Sequence, residues 1–265
     1  MRSAERLLQL QELFAKEEFV ELSDLCNKLH VSKSSVRRDL IGLEKRGVLR
    51  RVHGGAISLQ VRDEVLDYAR LSRSCHNEKL QIGKAAAELI EDDQTVILAG
   101  GSTVVEVARN LFDRRIQVIT NSVPVAQVFW ECKRAEVTLT GGYLYPRLGL
   151  LLGEVCEKTL NSAAAHVLIA GVRGITGAGL SDTNTFVVQS IKAMMKVARK
   201  IIIVGDHTKF GCDAMVHIAN LDEIDVVVSD SALELSYQQM LEASGVTCIL
   251  APEAPAVHGR GKGQC

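Results

Sequence analysis

The stretch at residues 31–56, VSKSSVRRDLIGLEKRGVLRRVHGGA, reads as one helix, a tight turn and a short hairpin. Ser32 is placed to cap the helix N-terminus, and Val36, Leu40 and Leu43 recur at the spacing of one buried face. Lys33 and Arg37 lie four apart on another face, with Ser34 and Arg38 beside them. Gly47 is expected to end the helix. Arg50, Arg51 and His53 then decorate an extended piece that closes at Gly54-Gly55, a pair free to take positive φ. Residues 31–55 hold seven Lys or Arg against two acids, Asp39 and Glu44, in a chain whose net charge is -1. Asp39 has two readings, a partner that pairs with an arginine and orients it, or an exposed acid.

Upstream, residues 4–17 are expected to form a first helix with Leu7, Leu10, Leu13 and Phe14 as its apolar stripe. Phe19-Val20 reads as a short extended link, and a second helix runs over residues 22–29. A longer helix, then two short helices joined by a tight turn, make a helix-turn-helix, with the following hairpin as its wing. A helix of this size fits the major groove, where base edges are distinguishable. Ser34, Ser35 and Arg38 are placed nearest the bases; Lys33 and Arg37 serve bases or phosphates. Arg50 and Arg51 in the wing, with His53, are expected to hold phosphates and set register. The partner this implies is double-stranded DNA.

Residues 1–60 carry eleven basic and eight acidic groups, and the other 205 carry twenty and twenty-four. The charge changes sign where a domain boundary is expected. The seven cysteines are scattered, odd in number and without a CxxC pair, which fits a reduced compartment with most of them in the core. No apolar run is long enough for a membrane span, and the N-terminus lacks a signal-peptide core. A cytoplasmic location is expected.

From residue 77 onward the chain alternates. Strands are expected at 95–99, 116–120, 136–140, 166–170, 200–205, 224–229 and 246–250. Helices are expected at 103–112, 122–133, 154–163, 184–199 and 231–244, after a first one near 77–90. This is the pattern of a mostly parallel α/β sheet covered on both faces. Four parts follow: 1–58 a winged helix-turn-helix, 59–76 a connector, 77–251 a ligand-sensing domain and 252–265 a loose tail.

The strand ends are rich in small and polar residues, where α/β folds bind ligands. Gly100-Gly101-Ser102-Thr103 before a helix makes an anion cradle. Gly141 and Gly142 end the third strand. Lys192 and Lys209 are expected to flank a phosphate, and Asn121 and Asp206 to hold hydroxyls. No GxxxxGK[ST], GxGxxG or GxSxG is present, so a nucleoside triphosphate, a dinucleotide and a serine nucleophile are disfavoured. The seven histidines are dispersed, and neither a metal nor a cofactor is expected. His207 beside Asp206 is the one histidine near the expected pocket.

The pattern VSxxxVRRDLxxLExxGxLxRVHGGA at residues 31–56 resembles the DeoR family of bacterial transcriptional regulators, and the resemblance runs along nearly the whole chain. It implies that Arg37, Arg38 and Asp39 sit in the recognition helix and Arg51, His53, Gly54 and Gly55 in the hinge-side motif. Gly101-Ser102-Thr103, Thr120-Asn121-Ser122, Leu139-Thr140-Gly141-Gly142, Gly153, Gly171, Gly179-Leu180, Lys192 and Asp206-His207-Thr208-Lys209-Phe210 fall in the order of the family's sensor, whose fold is similar to ribose-5-phosphate isomerase. The resemblance implies a repressor of a carbohydrate or sugar-acid operon, not an enzyme. It also implies a phosphorylated sugar or sugar-acid effector and a homo-oligomer, dimer or tetramer, on DNA. Where the family usually carries Asp, this chain has Ala99, and Val188-Gln189 stands where many members have Glu. A lost carboxylate removes repulsion toward anions and favours a more acidic ligand. The competing reading is a sugar-phosphate isomerase with an appended DNA module, using Asp206, Asp182 or Glu106 as base.

Overall fold

A computed structural model describes residues 6–7, 9–10, 13, 19–29, 31–45, 49–52, 55–58 and 68–253. The chain divides into two units, Met1–Val65 and Leu66–Cys265. Gly47, His53, Gly54, residues 59–67 of the expected connector and all but the first two residues of the expected tail lie outside the described residues.

In the first unit Arg6, Leu7, Gln9, Leu10 and Leu13 are helical. There follow β1 (Phe19–Glu21), α1 (Leu22–Leu29), α2 (Lys33–Lys45), β2 (Leu49–Val52) and β3 (Gly55–Ser58). Leu10, Leu25, Leu29, Val36, Leu40, Leu43, Leu49 and Ala56 form one apolar core. The Val36, Leu40, Leu43 stripe is therefore the inner face of α2, as its spacing predicts. Ser32 starts that helix: its carbonyl accepts from Ser35 N at 3.0 Å and Val36 N at 3.1 Å. Phe19 and Val20 are not a link. They pair with Ile57 and Ala56, so β3 is the middle strand of an antiparallel sheet in the order β1-β3-β2. The wing hairpin is thus held to the helices by a third strand distant in sequence.

The second unit opens with α3 (Tyr68–Arg73) and α4 (His76–Ala87), followed by β4 (Thr95–Leu98), α5 (Ser102–Asn110), β5 (Gln117–Thr120), α6 (Val123–Val128) and β6 (Glu136–Leu139). A hairpin of β7 (Tyr143–Tyr145) and β8 (Leu150–Leu152) precedes α7 (Glu154–Asn161), β9 (Ala165–Gly171), β10 (Gly174–Thr176) and β11 (Gly179–Asp182). The chain continues through α8 (Thr185–Val197), β12 (Ala198–Val204), β13 (Val216–Ala219), β14 (Val226–Asp230), α9 (Leu235–Ala243) and β15 (Thr247–Ala251).

The seven strands expected from sequence are the seven strands of one sheet, in the order β15-β14-β12-β9-β4-β5-β6. Every neighbouring pair is parallel. The sheet is apolar on both faces because its strands alternate. In β9, Leu168 and Ala170 enter one core while Val167 and Ile169 enter the other. Local capping starts the helices. Asn184 Oδ1 accepts from Phe186 N at 2.9 Å and Val187 N at 3.2 Å to open α8, and Ser122 Oγ accepts from Val125 N at 3.3 Å to open α6.

Two features depart from the expectation. Antiparallel strands β10, β11 and β13 form a separate small sheet, and β7–β8 a separate hairpin. The cysteines are also less buried than expected. Of the six among the described residues, only Cys156 is fully buried, and Cys212 is exposed.

Candidate functional site

Each unit carries one candidate site. In the first, the outward face of α2 holds Lys33, Ser34, Arg37 and Arg38, all exposed, with Ser35 half-buried. Ile41, 38% exposed, continues this face by one turn. The hydroxyl of Ser32 lies 2.9 Å from that of Ser34 and 3.1 Å from that of Ser35, so three hydroxyls cluster at the helix N-terminus.

Asp39 follows the first of its two readings, a pairing with an arginine, and not the second. It is 7% exposed and takes its ion pair from Arg6, whose Nε and Nη2 donate to the two carboxylate oxygens, the Nη2 bond at 3.2 Å. Residue 39 follows Val36 by three positions and turns inward, where the first helical segment supplies the cation. Arg37 and Arg38 therefore keep their outward positions without it. Arg51 is tied as well: its backbone N–H and Nε donate to Glu44 at 2.9 and 2.7 Å. These bonds, the backbone one foremost, hold the Glu44 carboxyl below the usual range.

The second site is a cavity of about 100 Å³ in the sensor unit. It opens at the carboxyl ends of β4 and β9, which are neighbours in the sheet. From β4 the chain runs outward to β5 and β6, and from β9 the other way to β12, β14 and β15. That reversal is the topological switch point at which open α/β sheets bind ligands. Ala99, Gly100 and Gly101 follow β4, and Ser102 and Thr103 begin α5. Gly101, at φ 129°, turns the strand into the helix. Asn121 enters from β5, Gly171, Val172 and Arg173 from β9, Asp182 from β11, and Gly205 and Lys209 from beyond β12. Val187, Ser190, Ile191 and Met194 of α8, together with Leu148 and Leu150, form the apolar wall.

Asn121 is 1% exposed. Its Nδ2 donates to Leu151 O at 3.1 Å, but Oδ1 has no partner. Among the described residues the other such atom is Ser229 Oγ, at the end of β14. Lys79, 2% exposed, brings an ammonium to the cavity wall. It donates to Leu71 O and Ser74 O, both at 2.6 Å, and lies 4.0 Å from Asp206 Oδ2. Burial lowers its pKa, against the Asp206 charge, which raises it. Burial likewise raises the Asp182 carboxyl, opposed by the backbone N–H groups of Asn184 and Thr183 and by Arg173.

Residues 6–62 match the DeoR-like helix-turn-helix domain, and residues 74–231 match the DeoR C terminal sensor domain. The chain belongs to the DeoR family. Relatives match over nearly the full length of both chains. The HTH-type transcriptional repressor GlcR of Bacillus subtilis (strain 168) is 29% identical, over 96% of this chain and 98% of its own. The repressor CsqR of Escherichia coli (strain K12) is 31% identical, over 92% and 94%. The regulator GlpR of Haloferax volcanii is 31% identical, over 94% and 98%. Among solved structures, a D-ribose-5-phosphate isomerase in complex with phospho-erythronic acid overlaps 50% of this chain and 52% of its own, at 17% identity and a TM-score of 0.38.

Within this DeoR sensor, six of the ten expected effector residues line the cavity: Gly100, Gly101, Ser102, Thr103, Asn121 and Lys209. Lys192 does not; it is exposed on α8, off the stripe formed by Val187, Ser190, Ile191 and Met194. Gly141 and Gly142 turn the chain between β6 and β7 at φ 73° and 116°, and a Cβ on Gly142 would meet Leu152 O at 2.6 Å. Asp206 is buried below the cavity. It caps the short 3-10 turn after β12 by accepting from Thr208 N at 3.1 Å, and it faces Lys79. His207 bonds Asp230 through Nδ1 and its backbone N–H, both at 2.8 Å. Glu106 pairs with Arg109 at 3.3 Å and is not a lining residue.

Lys79, Arg173, Ser190 and Tyr68 line the cavity without having been singled out. Only Lys79 left a usable signal, a lysine on the apolar face of a helix between Cys75 and Ile82. Ala99 lies in the cavity wall and leaves apolar surface there. Among the described residues no cluster of His, Cys, Asp or Glu could hold a metal, and no helix is long and apolar enough to cross a membrane.

Proposed function

We propose that this DNA-binding regulator is a repressor of a carbohydrate or sugar-acid operon, and that a phosphorylated sugar or sugar acid in the sensor cavity controls it. The observation that carries the effector reading is Asn121, which lines a cavity that also holds a helix N-terminus and whose Oδ1 is a buried acceptor without a partner. A buried acceptor left unpaired is costly, and a ligand hydroxyl relieves that cost. The α5 N-terminus, with Ser102 and Thr103 and with Lys209 nearby, receives the phosphate. The ligand that satisfies both is an anion carrying a hydroxyl a few bonds away. The curated relatives GlcR and CsqR are named repressors, which supports the sign of regulation.

On DNA, Ser34, Ser35, Arg38 and Ile41 face the bases, with Lys33 and Arg37 beside them and Arg50 and Arg51 on phosphates. One recognition helix reads few base pairs, so two copies on a repeated half-site are required. The test is a thermal-shift screen of sugar phosphates and sugar-acid phosphates, followed by the effect of each hit on operator affinity. A hit that stabilises the protein and weakens operator binding supports the reading; no stabilisation by any member refutes the effector half. Arg38→Ala should relax one operator position, whereas Arg50→Ala should weaken all sequences alike and flatten the salt dependence. Wild-type affinity and selectivity in Arg38→Ala would overturn the face assignment.

The isomerase reading draws on Asp182, the one carboxylate among the lining residues, whose raised pKa suits a base. Turnover of ribose 5-phosphate by the purified chain distinguishes the two.

A further inference from the structure

Two donors of the effector cavity are already engaged by one backbone carbonyl. Ser102 Oγ donates to Leu71 O at 3.2 Å, and Lys79 Nζ donates to the same oxygen at 2.6 Å. Lys79 Nζ also donates to Ser74 O at 2.6 Å. Leu71 is in the last turn of α3 and Ser74 just follows it. These are carbonyls that a helix leaves unpaired at its C-terminus, where an ammonium is a favourable cap. The other end of α3 is fastened by Tyr68 N–H donating to Arg147 O at 2.9 Å. Tyr68 and Leu71 themselves line the cavity. So α3 lies over the site, and its C-terminal attachment uses the site's own donors. Cys75, the next residue but one after α3, holds a left-handed conformation at φ 47°, uncommon for a residue with a side chain.

A serine hydroxyl has one hydrogen to give. An anion seated at the N-terminus of α5 that takes the Ser102 hydroxyl takes it from Leu71. A charged acceptor makes the shorter, stronger bond, so the anion wins this competition, and it draws on the Lys79 ammonium in the same way.

The geometry points to α3 as a strap that an anionic effector displaces, exchanging the Leu71 carbonyl for the ligand on Ser102 and Lys79. This rests on the reading of the cavity as an anionic effector site. Only residues 59–67 separate β3 from α3 along the chain, so a change in α3 is the first that the DNA-binding unit receives through its covalent link.

Backbone hydrogen–deuterium exchange of the full chain tests the strap, with and without saturating inorganic phosphate and, separately, D-glucose 6-phosphate. Two peptides are followed, residues 68–75 and 101–106. The expected result is slower exchange in 101–106 together with faster exchange in 68–75. Slower exchange in 101–106 with unchanged or slower exchange in 68–75 overturns the strap and leaves the effector site standing. No response in either peptide to either probe removes the effector site, and the strap with it. In Ser102→Ala without any probe, one attachment is missing, and 68–75 should exchange roughly three- to tenfold faster. Exchange at the wild-type rate, with peptides from α9 and β15 unaltered as proof of folding, would also overturn the strap.

Discussion

Alanine in place of glycine inside a helix should have opposite signs in the two units. Gly83 is buried in α4, and a Cβ there would lie 2.7 Å from both the carbonyl carbon and the Cβ of Glu106 in α5, where ordinary contact begins at 3.4 Å. Gly42, inside α2, would meet nothing within 4 Å. The helix-propensity gain is the same at both sites, about 1 kcal/mol. At Gly83 the obstacle is backbone rather than the end of a flexible chain, so α4 and α5 must separate, and overpacking of this kind costs about 1–3 kcal/mol. The net effect is a loss of up to about 2 kcal/mol for Gly83→Ala and a gain of up to about 1 kcal/mol for Gly42→Ala. Calorimetry of the full chain should show the sensor transition lowered by up to about 8 °C in the first variant, and the DNA-binding transition raised by up to about 8 °C in the second. Because α5 carries Ser102 and Thr103, Gly83→Ala should also weaken binding of inorganic phosphate. If Gly83→Ala melts at or above the wild-type temperature, the close crossing of α4 and α5 is not what the glycine serves.

Asp39→Ala leaves the Arg6 guanidinium without its partner and should lower the urea midpoint of the DNA-binding unit; an unchanged midpoint would mean the pair is solvated. Glu44 has a depressed pKa in the folded state, so the stability it supplies is present above its unfolded value and lost as pH falls through the folded one. Stability of the DNA-binding unit, read from urea denaturation by circular dichroism, should therefore fall more steeply on acidification in wild type than in Glu44→Gln, the excess disappearing once Glu44 is protonated. Lys192→Ala should bind phosphate as wild type does, whereas Lys209→Ala should bind it several-fold more weakly; equal losses would return Lys192 to the site.

The sheet was legible because parallel strands buried on both faces spell themselves out as apolar runs such as 166–170 and 200–205, and helix spacing placed Val36, Leu40 and Leu43 inward. The small antiparallel pieces were not. Tyr143–Tyr145 and Gly174–Thr176 are three residues each, too short for alternation to register. Glycine pairs were the main source of error in the site. Gly100-Gly101 and Gly141-Gly142 look alike in sequence, but the first pair opens onto the cavity and the second turns a chain against Leu152. For Asp39 an arginine partner was legible but not which one: Arg6 lies in a different helical segment, beyond any local pattern.

The adjacency of β4 and β9 also bears on how the polypeptide emerges from synthesis. Val96 cannot find Val167 until some seventy further residues have been made; β5 and β6 can join β4 before then, whereas β12, β14 and β15 must wait for β9. The helix-turn-helix needs nothing beyond Ser58 for its own sheet. During translation the helix-turn-helix unit can therefore finish its own sheet well before the second unit can close its seven-stranded one.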